Sequence, residues 1–192
     1  MPMPDYDLKK YLMPSSHSTC CWSGISPETT TKSVAIDMLT RLYDAQNIFV
    51  SNTPVVWIHW KSNSTDFSRD GAVQIENDKV YKIHVYFSDK TVMVENLLTS
   101  IGEPDFVNLV ISGNPPKCDG AFISYPQLGL EVTLYLAAGK SVGVKGDQFI
   151  SGFIIGTSWT PKDKEWFQIL WSDSIKMQWN GYREYCPKSY SR

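Results

Sequence analysis

The stretch Val94-Glu95-Asn96-Leu97-Leu98-Thr99-Ser100-Ile101-Gly102-Glu103-Pro104-Asp105-Phe106-Val107-Asn108-Leu109-Val110-Ile111 changes period at its middle. Val94, Leu97, Leu98 and Ile101 recur at i, i+3, i+4 and i+7, the spacing of one helical face, and Ser88, Asp89 and Thr91 stand in front as capping side chains. Gly102 can end the helix in a left-handed conformation and Pro104 cannot continue it. The chain then runs directly into an apolar strand, 106–111. A second copy of the helical pattern lies upstream: Ala35, Met38, Leu39 and Leu42, preceded by Pro27 and the potential N-caps Thr29, Thr30 and Thr31. The two patterns match at an offset of about 59 residues, with Met38-Leu39-Thr40 over Leu97-Leu98-Thr99.

The segments downstream of the two helices are also alike. After the first come strand patterns at 55–60, 72–75 and 80–87, the last two joined by Asn77-Asp78, a pair suited to the positive φ values of a tight hairpin. After the second come 106–111, 121–125 and 130–136, with a turn around Gln127-Leu128-Gly129. Each half reads helix, strand, strand, strand, and a helix laid on a short antiparallel sheet buries the apolar face of both. Further strands at 149–155 and 166–171 complete the second sheet, 139–146 is a glycine-rich loop, and 179–186 is an aromatic tail. The expectation is an α+β fold of two tandem helix-plus-antiparallel-sheet repeats sharing one core. Residues 1–19 form an extended arm, 20–87 the first repeat and 88–192 the second.

Composition narrows the function classes. The 192 residues are 42% hydrophobic and 20% charged, which is globular, and the net charge is only −2. A nucleic-acid binder held by phosphate neutralisation needs a surplus of cations, so none is expected here. No apolar run approaches the ~18 residues of a membrane span. The arm carries several Pro and Ser and no apolar core, so it is not a secretory signal as written. Either the protein stays inside the cell or a leader has been removed.

Cys20, Cys21, Cys118 and Cys186 show no metal-ligand spacing relative to one another or to His17, His59 and His84. Four thiols in a reducing compartment are one reading; two disulfides, or one plus leftover thiols, are the other, together with the sequon Asn63-Ser64-Thr65. Adjacent cysteines rarely bond each other, so partners for Cys20 and Cys21 are sought in Cys118 and Cys186. Catalytic patterns are lacking. Gly139-Lys140-Ser141 has Leu134 where a phosphate-binding loop needs Gly, and no Gly-x-Ser-x-Gly or Ser-x-x-Lys occurs. His59 and His84 read as half-buried sheet residues. The acids are dispersed and form no visible pair for glycoside hydrolysis. Neither cofactor nor metal is expected. Trp159, Trp166, Trp171, Trp179 and Tyr182 crowd the C-terminal part, and such rings are favoured in core packing, in protein interfaces and as sugar platforms.

The run Leu97-Leu98-Thr99-Ser100-Ile101-Gly102-Glu103-Pro104-Asp105 resembles the "LLG-x-P-D" signature of small extracytoplasmic lipoproteins of the outer-membrane-assembly type (SmpA/OmlA, BamE-like), whose fold is shared with β-lactamase-inhibitor proteins. Cys21-Trp22-Ser23-Gly24-Ile25-Ser26-Pro27-Glu28-Thr29 is similar to the "CWWGI-x-PG-x-T" opening of secreted or lipid-anchored bacterial proteins carrying two such units. Tyr125-Pro126 with Gly129-Leu130 adds to the match. Ser23 replaces a Trp and Glu28 a Gly, and the first helix lacks Gly-x-Pro-Asp. Gly102, Pro104 and Asp105 shape a turn in this motif and perform no chemistry. The resemblance implies an extracytoplasmic, non-enzymatic binding or scaffolding protein that contacts a protein partner, with membrane association through a lipid anchor or a partner. A structural subunit of a membrane-associated or cell-surface assembly is the alternative, and a carbohydrate-binding module or cryptic hydrolase a further one.

Overall fold

Thr31 begins helix α1 (Lys32–Tyr43): its hydroxyl accepts from the Val34 N–H at 3.4 Å and its carbonyl from Ala35 at 2.9 Å. In the computed structural model, which describes residues 8, 12, 20–43, 48–51, 56–61, 68–87, 92–112, 117–134, 143–156 and 173–186, α1 buries Ala35 and Leu39, with Ile36, Met38 and Tyr43 packed beside them. Leu42, expected in that stripe, is 50% exposed. At 100° per residue the line through 35 and 39 continues to 43. Tyr43 accordingly turns inward, stacking on Trp60 at 5.5 Å and accepting the Trp22 indole N–H at 3.3 Å.

Helix α2 (Val94–Ile101) buries Val94 and Leu97. Its N-cap is Met93, which makes no side-chain cap, and the expected caps Ser88, Asp89 and Thr91 lie outside the described residues. The Val94 and Glu95 N–H groups donate to the carbonyls of Gln148 and Gly146, and Asn96 Oδ1 accepts from the Met93 N–H. Gly102 closes the other end, its N–H on the Leu98 carbonyl at 2.9 Å. Its φ of 92° is positive, but ψ is −174°, so the chain leaves extended where a left-handed cap was expected.

The strands are β1 (Ile48–Ser51), β2 (Val56–Lys61), β3 (Ser68–Glu76), β4 (Lys79–Phe87), β5 (Phe106–Ser112), β6 (Lys117–Tyr125), β7 (Leu130–Leu134), β8 (Gly143–Val144), β9 (Ile150–Gly156), β10 (Asp173–Gln178) and β11 (Arg183–Glu184). Nine of them form one sheet in the order β1-β2-β3-β4-β9-β7-β6-β5-β10, with antiparallel neighbours throughout, and β8 and β11 pair separately. The β3–β4 hairpin turns on Asn77 and Asp78 at φ 50° and 62°, as their residue types predict. β1 is a strand that the sequence pattern does not announce. β9 does not extend an outer edge of the second group; it lies between β4 and β7. Two separate small layers are thereby replaced by one continuous sheet, and the molecule is a single α+β domain.

One core takes in both halves, from Ile58, Ile83 and Val85 to Val107, Leu109 and Phe153. The segment before α1 crosses between them: the Cys20 N–H donates to the Leu128 carbonyl at 2.7 Å, and Trp22 meets Phe153 at 6.4 Å. Leu8 and Leu12, within the expected arm, are helical and buried in this core; the rest of 1–19 and the expected strand 166–171 lie outside the described residues. Of the expected loop 139–146, Gly143 and Val144 form β8.

Trp60 lies across Gly71, its directly opposed partner on β3, and is 2% exposed. A Cβ at Gly71 would overlap the Trp60 ring and the His84 carbonyl. Gly71→Ala is therefore expected to cost about 1–3 kcal/mol, read as a lowered urea midpoint, with Trp fluorescence reporting the displaced ring. Unchanged stability would mean that Trp60 does not cover this glycine.

Candidate functional site

The structure brings part of the C-terminal aromatic tail onto the Gly102-Glu103-Pro104-Asp105 turn. The Tyr125 hydroxyl donates to the Gly102 carbonyl at 2.9 Å, and the Asp105 carbonyl accepts from the Trp179 N–H and the Gln178 side-chain amide, both at 3.0 Å. Pro104 is buried and Asp105 exposed. Trp179 stacks on Tyr185 and meets Tyr182 edge-on, each at 6.0 Å. Tyr185 is 1% exposed and Trp179 9%, whereas Tyr182 is 50% exposed. Burial, with the nearby carboxylates of Glu95 and Glu103, raises the Tyr182 phenol above its ordinary value. Of the aromatics singled out in the sequence, Trp179 is thus packing and Tyr182 is surface. Trp159, Trp166 and Trp171 lie outside the described residues.

The cysteines divide into one disulfide and two leftover thiols, one of the expected arrangements, but not with the partners sought for Cys20 and Cys21. Cys118 and Cys186 are joined to each other, at a sequence separation of 68, and Cys20 and Cys21 are buried and outside any disulfide. The bond ties β6 to the C-terminal tail, so the two residues proposed as partners for Cys20 and Cys21 are already consumed. Burial, and then the neighbouring Cys21, pushes the Cys20 thiol up to about 12. A thiol so raised is neutral and a poor nucleophile at physiological pH. Among the described residues no cluster of His, Cys, Asp and Glu could hold a metal ion. No helix there is long and apolar enough to cross a membrane.

On the sheet face opposite α1, directly opposed residues place Phe49, His59, Ala72 and His84 in one row across β1 to β4. Phe49 and Trp57 both stack with His59, at 5.9 and 6.1 Å, and Trp57 meets His84 edge-on at 5.4 Å. His59 is half-buried and His84 buried, so both are sheet residues. Farther along the same face the Asn108 amide donates to Ser124, whose hydroxyl donates to Glu131.

Six large apolar side chains are exposed among the described residues: Val34, Leu42, Phe49, Val50, Tyr86 and Tyr182. The first four belong to α1 and β1, which pack against each other. Among the described residues β1 has β2 as its one neighbour in the sheet. Sequence reasoning missed this surface. Val34, Leu42, Phe49 and Val50 have the composition of core, and only the strand order reveals that 48–51 is an edge.

Comparison with known proteins gives no matching family model, curated protein or solved structure. The fold and the site therefore define the molecule as far as a single-domain α+β protein with an apolar edge.

The cysteines set two measurable outcomes. In the unfolded chain Cys20 ionises near 9.0 and in the folded one near 12; between these values the unfolded state has lost a proton that the folded state keeps. Stability contributed by this group is full below pH 9 and declines as pH rises, with a slope approaching about 1.4 kcal/mol per pH unit. Urea melts from pH 8 to 10 should show that decline in the native chain and a shallower one in Cys20→Ala. Separately, replacing Cys118 and Cys186 together by Ser releases a long loop in the unfolded state and should cost about 2–4 kcal/mol, measured by the same melts at pH 7.

Proposed function

We propose that this chain is a non-enzymatic, extracytoplasmic binding or scaffolding protein that works through protein–protein contacts. The observation that carries the reading is the exposure of apolar side chains on two elements that pack together, Val34 and Leu42 on α1 and Phe49 and Val50 on β1. Exposed apolar surface of this kind marks interaction sites, and an edge strand offers unpaired backbone donors and acceptors for an added strand. The Cys118–Cys186 disulfide supports an oxidising compartment.

A duplicated origin, related to the lipoprotein and β-lactamase-inhibitor-like units that the Gly102-Glu103-Pro104-Asp105 motif resembles, belongs to the same proposal. It is supported by the order of elements, in which α2 leads into the β5–β6–β7 meander and α1, with the additional strand β1 between, into β2–β3–β4.

A photo-crosslinking residue at position 50, compared with one at position 178 on the opposite edge, tests the reading in cells of the source organism. Protein adducts at 50 and few at 178 are expected. Adducts absent at 50, or equal at the two positions, would remove the basis for an interaction edge.

A further inference from the structure

The sequence holds one Asn-Gly pair, Asn180-Gly181. Asparagine is a chemically labile residue, because the backbone nitrogen that follows it lies within reach of its side-chain amide carbon. Attack by that nitrogen is favoured when the next residue has no Cβ in the way and its N–H is not spent on a hydrogen bond. It also needs an asparagine side chain open to solvent.

Four asparagines fall among the described residues, and they differ on these points. Asn96 uses its side-chain oxygen on the Met93 N–H, and the Leu97 N–H is spent on the Met93 carbonyl at 3.3 Å. Asn108 is half-buried in β5, its amide donating to Ser124. Asn77 is exposed at the β3–β4 turn, but Asp78 follows it and brings a Cβ. Asn180 is exposed, outside helix and strand, and followed by glycine. Gly181 sits at φ 73° with open space where a side chain would stand. Among the described residues its N–H has no acceptor.

The Tyr185 hydroxyl accepts from the Asn180 N–H and donates to the Gly181 carbonyl, both at 2.8 Å. Neither of these groups enters a ring closure between the Gly181 nitrogen and the Asn180 side chain. The clamp therefore restrains the pair without shielding the reacting atoms. On both sides the segment is pinned: the Trp179 N–H donates to the Asp105 carbonyl, Arg183 and Glu184 pair with β8, and Cys186 is bonded to Cys118.

We propose that Asn180 is a site of covalent modification, converted to aspartate and isoaspartate with water as the co-reactant. The Gly181 nitrogen bonds to Cγ of Asn180, the bond from Cγ to Nδ2 breaks, and the displaced proton leaves with that nitrogen as ammonia. Water then opens the cyclic imide, and no electrons are exchanged. Opening at Cγ gives aspartate. Opening at the backbone carbonyl carbon gives isoaspartate, whose chain runs through Cβ and Cγ and is one atom longer. Either product adds a negative charge beside the Asp105 turn. The isoaspartate form also inserts its extra atom between pinned points, so the Tyr185 clamp is lost and the stack of Trp179 on Tyr185 loosens. The proposal is independent of the α1–β1 surface.

Incubation of the full folded chain at pH 7, with peptide mapping by mass over days, tests it. The peptide holding residue 180 should gain the mass of an amide becoming an acid and split into aspartate and isoaspartate forms. This conversion should run about tenfold or more faster than that at Asn77. Asn180→Gln, whose longer side chain closes the ring poorly, should lose it. Tyr185→Phe, shown to be folded by circular dichroism, should react about threefold or more faster, since the clamp is gone. The isoaspartate fraction, separated by anion exchange, should show altered Trp fluorescence. Asn180→Asp, which adds the charge without lengthening the chain, should not. No conversion at 180, or conversion no faster than at Asn77, would overturn the inference. Equal rates in Tyr185→Phe would remove the clamp from it, and native fluorescence in the isoaspartate fraction would remove the loosened stack.

Discussion

Strand β9 carries hydrogen-bond ladders on both sides, to β4 through Lys82–Tyr86 opposite Gly156–Gly152 and to β7 through Leu130–Leu134. Without it, β4 and β7 would each end in a row of unpaired backbone groups, and two small sheets would face each other across a gap. Its composition suits the place. Ile150, Phe153 and Ile155 are buried, while Gly152 and Gly156 let the neighbouring Val85 and Tyr81 carbonyls approach where a Cβ would collide. The start of β9 also holds α2, through the Ile150 N–H on the Val92 carbonyl and the Met93–Phe149 bridge. One strand thereby joins the sheet, positions a helix and makes a single core from two groups of strands.

Closing the middle of the sheet leaves β1 and β10 as its outermost described strands. β10 pairs with β5 and runs directly into Trp179, so its end is bound into the Asp105 turn and the disulfide-linked tail. β1 has no comparable fastening among the described residues. It is the outermost described strand on its side, beside a helix whose Leu42 is exposed while Tyr43 turns inward. The apolar edge is thus a consequence of the helix phase and the strand order together.

The regular elements were legible where local chemistry determines them. Thr31 as a helix start, Asn77 and Asp78 as a hairpin turn, and Gly102 with Pro104 as a helix stop each rest on backbone preferences of single residues. Glu28 adopts φ 64°, a left-handed conformation that only glycine enters without a steric penalty, and its residue type gave no sign of it. The candidate site was much less legible. Aromatic density is visible in a linear chain and points to the C-terminal rings, yet Trp179 and Tyr185 are buried packing. Phe49 and Val50 carried no mark separating them from the core, since a four-residue apolar run reads alike at the middle of a sheet and at its edge. The cap of α2 was equally hidden: its carbonyl partners come from residues 146 and 148, some fifty positions downstream.

By itself the sequence determined the α+β class, α1 and α2, most of the strands and the turns, because periodicity and the φ preferences of Asn, Asp, Gly and Pro act over a few residues. Only the tertiary structure decided that β9 lies between the two groups of strands, that Cys118 bonds Cys186, and that Val34, Leu42, Phe49 and Val50 stay exposed. These are pairings between residues far apart in the chain. Apolar patterning states that a face must be buried, and the neighbour that buries it is selected by the packing of the whole.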